Sequence, residues 1–193
     1  MNNSANNAGE EREPKQFLTE AYDWLEVFVM SVAIVFLIFT FIFRIAMVVG
    51  PSMDDTLHEG QALIISKLFY TPKTGDIIVF QKPDSEKYGE PIVKRVIATA
   101  GQVVDIDFYN WKVTVDGVAL DESYVRRVPD EIMRMSDYAF PLTVPEGKIF
   151  AMGDNRNFSL DSRSSAIGPI DTRYLLGKVL FRLTPLNKIG IVK

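Results

Sequence analysis

The strongest pattern along the chain is an unbroken apolar run. Residues 27–43 carry no charge, and only Ser31 and Thr40 interrupt them. Arg44 follows, and residues 45–49 are apolar again. A helix needs about 20 apolar residues to cross a bilayer, and an arginine at its end can snorkel to the interface. Tyr22 and Trp24 stand where an interfacial aromatic belt would lie. A cleaved leader has an apolar core of about 7–15 residues behind a basic start. Here the run is longer and its start is acidic, and no polar face marks it as a buried globular helix. The pattern predicts a retained transmembrane anchor over 24–49 behind a polar tail over 1–23, with residues 2–8 disordered. No second run of this kind follows, so one span is expected.

Beyond residue 49 the pattern changes to short apolar runs rich in Val, Ile and Phe, separated by turn residues. Strands are predicted over 62–66, 76–81, 92–98, 102–107, 112–115, 148–152 and 177–183. Asp116-Gly117, between two β-prone segments, signals a hairpin. Gly75-Asp76, Pro83-Asp84 and Pro145-Glu146-Gly147 are further turn signals. Helical periodicity of comparable strength is absent here. The body should be mainly β, built of antiparallel sheets or an open barrel. Residues 107–144 are more polar and irregular, and read as a small inserted subdomain within a β-rich domain over 50–193.

Composition narrows the chemistry. The chain has 193 residues, no cysteine, one histidine (His58) and a formal net charge of −4. Thiol nucleophiles, disulfides and thiolate metal sites are excluded. A serine–histidine–aspartate triad would have to use His58. The acidic balance argues against nucleic acid as a partner.

Three segments could carry chemistry. Gly50-Pro51-Ser52-Met53-Asp54-Asp55-Thr56-Leu57 opens with a pair that forces a tight turn and presents Ser52. Read alone, Ser52 also suits a helix N-cap. In 91–98, alternation puts Ile92, Lys94, Val96 and Ala98 on one strand face. A lysine among aliphatic side chains loses hydration, so its ammonium is disfavoured and it can serve as a general base. Periodicity does not single out Lys94, because Arg95 lies between Val93 and Ile97 on the other face, and a lysine snorkelling at a sheet edge fits equally. The third segment, 153–163, packs Asp154, Arg156, Ser159, Asp161 and Arg163 into a polar loop after a strand. Arg156 fits a calcium loop poorly, since it falls where an oxygen ligand belongs.

Taken together, Gly-Pro-Ser-Met-x-x-Thr-Leu, then Lys-Arg-Val-Ile-Ala, then Gly-Asp-Asn-Arg-x-x-Ser-x-Asp-Ser-Arg, all behind one apolar span, resemble the bacterial type I signal peptidases. The likeness runs from about Trp24 to Gly190. It implies a membrane-anchored serine endopeptidase that removes N-terminal signal peptides from exported preproteins, without a cofactor or metal. Ser52 matches the family's nucleophile and Lys94 its general base. Ser159 matches a serine that hydrogen-bonds the lysine, and Asp161 and Arg163 match a supporting ion pair. Asp154 and Arg156 would hold the same loop. The Ser52 N–H matches the backbone oxyanion donor, and Gly50 stands where some members add a serine hydroxyl. Asn157-Phe158 departs from the Asp-Asn of many members.

The resemblance further implies Ala-X-Ala-like cleavage sites, read by small pockets for which Val48, Val49, Ile92 and Val93 are the candidate walls. Ser52 is nine residues past Phe43, a reach of at most about 30 Å, so the site is expected near the lipid surface. The expected arrangement is a single pass through the plasma membrane, N-terminus cytoplasmic and catalytic domain outside. Two other readings share features: a self-cleaving serine–lysine repressor protease, which would carry a DNA-binding segment where this chain has the span, and a membrane-tethered β-domain that binds exported peptides without cutting them.

Overall fold

A computed structural model describes residues 14–82 and 89–192. The expected disorder over 2–8 and the Pro83-Asp84 turn lie outside the described residues. The chain divides into two compact units, a helical one up to Phe41 and a β-rich one from Ile42 onward.

The described residues of the helical unit belong to one helix, α1 (Pro14–Ile42). Its stretch Phe17–Thr40 spans 24 residues, is long and apolar enough to cross a membrane, and has none of its most apolar window buried in protein. Its two interior hydroxyls do not go unpaired. Ser31 Oγ donates to Val27 O at 2.7 Å and Thr40 Oγ1 to Phe36 O at 2.8 Å, which removes the cost of bare polar groups in hydrocarbon. The helix begins and ends earlier than the expected 24–49 anchor. Phe43–Met47 leaves the helix and forms a strand instead.

Among the described residues, eleven strands make up the second unit, all paired antiparallel. Seven form one sheet: β1 (Phe43–Met47), β2 (Ala62–Ser66), β3 (Ile77–Phe80), β4 (Ile92–Thr99), β9 (Lys148–Met152), β10 (Ile170–Asp171) and β11 (Leu175–Arg182), in the order β1-β2-β11-β3-β4-β9-β10. Four form the other: β5 (Val103–Asp107), β6 (Lys112–Val115), β7 (Val118–Ala119) and β8 (Leu142–Thr143), in the order β7-β6-β5-β8. The mainly β, antiparallel expectation is borne out. The second sheet begins at Val103, slightly before the expected insert at 107. Asp116 and Gly117 both take positive φ, at 51° and 80°, the primed-turn geometry that matches strand twist in a two-residue hairpin.

Burial explains the strand order. All four residues of β3 are buried, as a central strand covered on both faces requires. β5 alternates, with Val104 and Ile106 inward, as a half-exposed strand does. Register shifts interrupt the β4–β9, β11–β2 and β11–β3 ladders, and such bulges bend and twist a sheet. The β4 bulge corrects one expectation: Val96 packs with Ile78 and Phe80, whereas Ala98 joins Ile97, Phe150 and Met152 in another cluster. Ile92, Lys94, Val96 and Ala98 therefore do not share one face along the whole strand.

Gly177 faces the backbone of β2. A Cβ there would stand 2.7 Å from Ser66 C and 2.8 Å from Ser66 O, so β11 and β2 could not keep their spacing. Gly177→Ala should lower the unfolding free energy by about 1–3 kcal/mol, the usual cost of overpacking, read from urea unfolding of the full chain in detergent.

Candidate active site

Gly50 takes φ 75°, a conformation open to glycine and strained for most other residues. Pro51 follows and fixes the next φ, and the turn closes as Thr56 N and Leu57 N donate to Met53 O at 2.9 and 2.8 Å. Met53 and Leu57 are fully buried in one cluster with Val48, Ile77, Val79 and Val93. Burying side chains of this size contributes roughly 1.5–3 kcal/mol each, so the turn is anchored by its apolar residues while Ser52 stays accessible. The helix N-cap alternative fails, because no helix follows Ser52.

Lys94 projects from β4, is 3% exposed, and places Nζ 2.7 Å from Ser52 Oγ. Nζ also donates to Val93 O at 2.8 Å. Burial pushes the ammonium down from the ordinary lysine value to about 8, partly offset by the carboxylates of Asp161 and Asp154, while Arg163 adds to the lowering. A hydroxyl and an amine that sheds its proton near neutrality thus stand in contact, the arrangement needed for base-assisted attack on a carbonyl. His58 does not reach this pair; its Nδ1 lies 3.0 Å from Asp54 Oδ1.

Residues 153–163 close into a ring of hydrogen bonds. Gly153 N donates to Asp161 Oδ2 at 3.0 Å, and Arg163 grips Asp161 through Nε and Nη2 at 2.9 and 2.8 Å. Arg163 Nη2 also donates to Arg156 O, and Arg156 Nε to Gly153 O. Burial alone would raise the Asp161 carboxyl, but Arg163 and the Gly153 N–H hold it below the usual carboxylate range. The loop meets the serine turn closely: a Cβ on Gly153 would sit 2.3 Å from Ser159 Oγ and 2.5 Å from Ser52 O. Ser159 Oγ is buried and faces the Asp161 carboxylate, which it helps to hold low; among the described residues its expected bond to Lys94 is not formed.

The pocket candidates separate. Val48 and Val93 are buried in the cluster that anchors the serine turn, Val49 is 61% exposed, and Ile92 packs on the Ile78–Phe80 side. Sequence reasoning missed four supporting residues. Glu122 Oε1 accepts from Arg156 Nη2 at 2.5 Å, Tyr124 lies 3.9 Å from the Arg95 guanidinium, and Thr56 and Asn155 bond across the serine turn. Glu122 and Tyr124 sit in the irregular insert, where no periodicity marks an inward residue. Among the described residues, no group of three or more His, Asp or Glu side chains is placed to hold a metal ion.

Comparison with known proteins identifies the family. The family model described as signal peptidase, peptidase S26, matches residues 21–184. A probable signal peptidase I-1 from Synechocystis is 34% identical over 186 residues, covering 92% of this chain and 88% of its own. A signal peptidase I from Bacillus licheniformis is 33% identical over 175 residues, covering 87% and 91%. A solved signal peptidase I from Enterococcus faecalis is 29% identical, with a TM-score of 0.47 over 56% of this chain and 97% of that one. These matches define a serine peptidase. The chain belongs to the signal peptidase family, peptidase S26.

The Arg156–Glu122 pair is buried on both sides, with side chains 0% and 2% exposed. Removing one member strands the other charge. Glu122→Ala should cost about 3–5 kcal/mol, measured by chemical unfolding, and should destabilise more than Glu122→Gln, which keeps an acceptor.

Proposed function

We propose that this chain is a membrane-anchored serine endopeptidase that cuts signal peptides from exported preproteins, with Ser52 as nucleophile and Lys94 as general base. The observation that carries the reading is the 2.7 Å approach of Lys94 Nζ to Ser52 Oγ, with the amine out of water. In the neutral form Nζ takes the hydroxyl proton as Oγ attacks the scissile carbonyl. The ammonium then protonates the leaving amine, which departs as the new N-terminus. Water, deprotonated by the same amine, attacks the acyl-enzyme and frees Ser52.

The oxyanion needs donors preset where its charge develops. The Ser52 N–H, the donor the family resemblance implies, is assigned this role; the bonds that close the turn use the N–H groups of Asp54, Thr56 and Leu57 instead. Ser159 Oγ, buried beside the turn, is the group that can take a bond from the Lys94 ammonium once Ser52 Oγ is acylated. Asp154, Arg156, Asp161 and Arg163 keep that loop in place.

Two open strand edges support binding of an extended peptide. β1 ends its sheet and pairs only with β2. On β4, β9 pairs with residues from Arg95 onward, whereas β3 covers the opposite edge from Ile92. Among the described residues, no strand pairs with the β9-side edge of Ile92–Lys94. A signal peptide added there gains backbone hydrogen bonds, while alternate side chains enter pockets. Of the proposed pocket walls, Val48 and Val49 follow β1 while Ile92 and Val93 lie on the β4 edge, and small residues before the cut, as in Ala-X-Ala, are the expected fit between them. The anchor lies in the plasma membrane with the N-terminus cytoplasmic and the β-rich unit outside, where cleavage sites emerge.

Purified full-length protein in detergent should cleave a preprotein with an Ala-X-Ala site. Ser52→Ala and Lys94→Ala should each lose at least about two to three orders of magnitude in kcat/KM. No cleavage by the wild type would instead favour a peptide-binding domain, and unchanged cleavage by Ser52→Ala would contradict Ser52 as the nucleophile. The pH profile follows from the lowered lysine value: the neutral amine is the active form, so activity should rise with pH through about 8. A flat profile between pH 6 and 9 would contradict Lys94 as the base.

A further inference from the structure

The serine turn and the lysine strand are far apart in sequence, and no backbone ladder joins them among the described residues. Their register is set by ties that run through the 153–163 loop, in part backbone and in part side chain. Arg95 follows Lys94 on β4 and leaves the strand on its other face. There Nε and Nη2 donate to Asp154 Oδ1 and Oδ2 at 2.9 and 2.7 Å, and Nη1 donates to Gly75 O at 3.0 Å. Tyr124 stacks on the guanidinium. Asp154 is fully buried, and its Oδ2 accepts one more bond, from Thr56 Oγ1 at 2.6 Å. Thr56 belongs to the turn that presents Ser52. The next residue of the loop adds two ties: Asn155 N donates to Ser52 O and Asn155 Nδ2 to Pro51 O, both at 3.1 Å. Those ties fix the turn to the 153–163 loop. The Thr56–Asp154–Arg95 bridge carries it on to the strand that bears Lys94.

We propose that Thr56 is a positioning residue whose hydroxyl, through Asp154 and Arg95, holds Ser52 Oγ at reacting distance from Lys94 Nζ. This rests on the serine–lysine reading above. Asp154 is already neutralised by Arg95, so the Thr56 bond is not needed to keep that carboxylate in the core. Its distinct effect is geometric: it links the turn to a rigid strand by one short hydrogen bond. A misplacement of about 1 Å in a reacting group can cost about 10²-fold in rate.

The test compares full-length wild type, Thr56→Val, Thr56→Ser, Ser52→Ala and Lys94→Ala on one preprotein substrate, with folded fraction measured for each. Thr56→Val keeps the shape and removes the donor. It should lower kcat by about 10²-fold with KM within about threefold, and Thr56→Ser should recover to within about threefold of wild type. The pH midpoint should stay close to the wild-type value in both, because the burial of Lys94 and the charged groups around it, Asp161, Asp154 and Arg163, are retained. Wild-type kcat in Thr56→Val, a loss that only tracks unfolded protein, or a Thr56→Ser as impaired as Thr56→Val would overturn the proposal. Activity retained in Ser52→Ala or Lys94→Ala would overturn the dyad reading instead, which separates the two failures.

Discussion

An amine kept out of water beside a hydroxyl is the constraint on which the rest of this structure turns. A lysine ammonium is strongly hydrated, and a protein interior can hold its nitrogen only by disfavouring the charge. Lys94 is 3% exposed and its Nζ meets Ser52 Oγ and Val93 O. Nearby carboxylates, Asp154 and Asp161, would restore the charge if left unpaired, but each is gripped by an arginine, Arg95 and Arg163. Carboxylates paired in this way support the loop around the site while exerting only a partial pull on the lysine.

This balance assigns a purpose to the irregular insert. Its residues Glu122 and Tyr124 cover Arg156 and Arg95 from outside the main sheet, and Met133 is buried against the Trp111–Phe150 cluster. Arg126 N donates to Asp154 O, and Asn157 Oδ1 accepts from Arg134 N. The segment between β7 and β8 is thus a strap over the 153–163 loop. Asn157, where this chain departs from the common family motif, serves the strap rather than the serine–lysine pair.

Much of this was legible in the sequence, for identifiable reasons. The strands 62–66, 112–115 and 148–152 coincide with the structure because Val, Ile and Phe runs there are bounded by turn residues. β1 was hidden because all its residues but Arg44 are apolar and continue the membrane run. Its alternation, Ala46 buried between exposed Ile45 and Met47, leaves no polar trace. β8 and β10 are two residues long, too short for any period. At the site, the motif spacing marked Ser52, Lys94 and the 153–163 loop, and the fold brings them together. Thr56, Glu122 and Tyr124 were not legible as partners because each acts across dozens of residues, and no local pattern encodes a long-range hydrogen bond.

The protonation state of Lys94 in the resting protein tests the central claim most directly. Lysine labelled with 13C at Cε, incorporated into full-length protein in detergent micelles, reports each amine by NMR titration, and Lys94→Arg identifies the resonance of interest. The account predicts one lysine, missing from that variant, titrating near 8. If the resonance lost in Lys94→Arg titrates with the other lysines near their ordinary value of about 10.4, the amine keeps its proton well past pH 8 and the account fails.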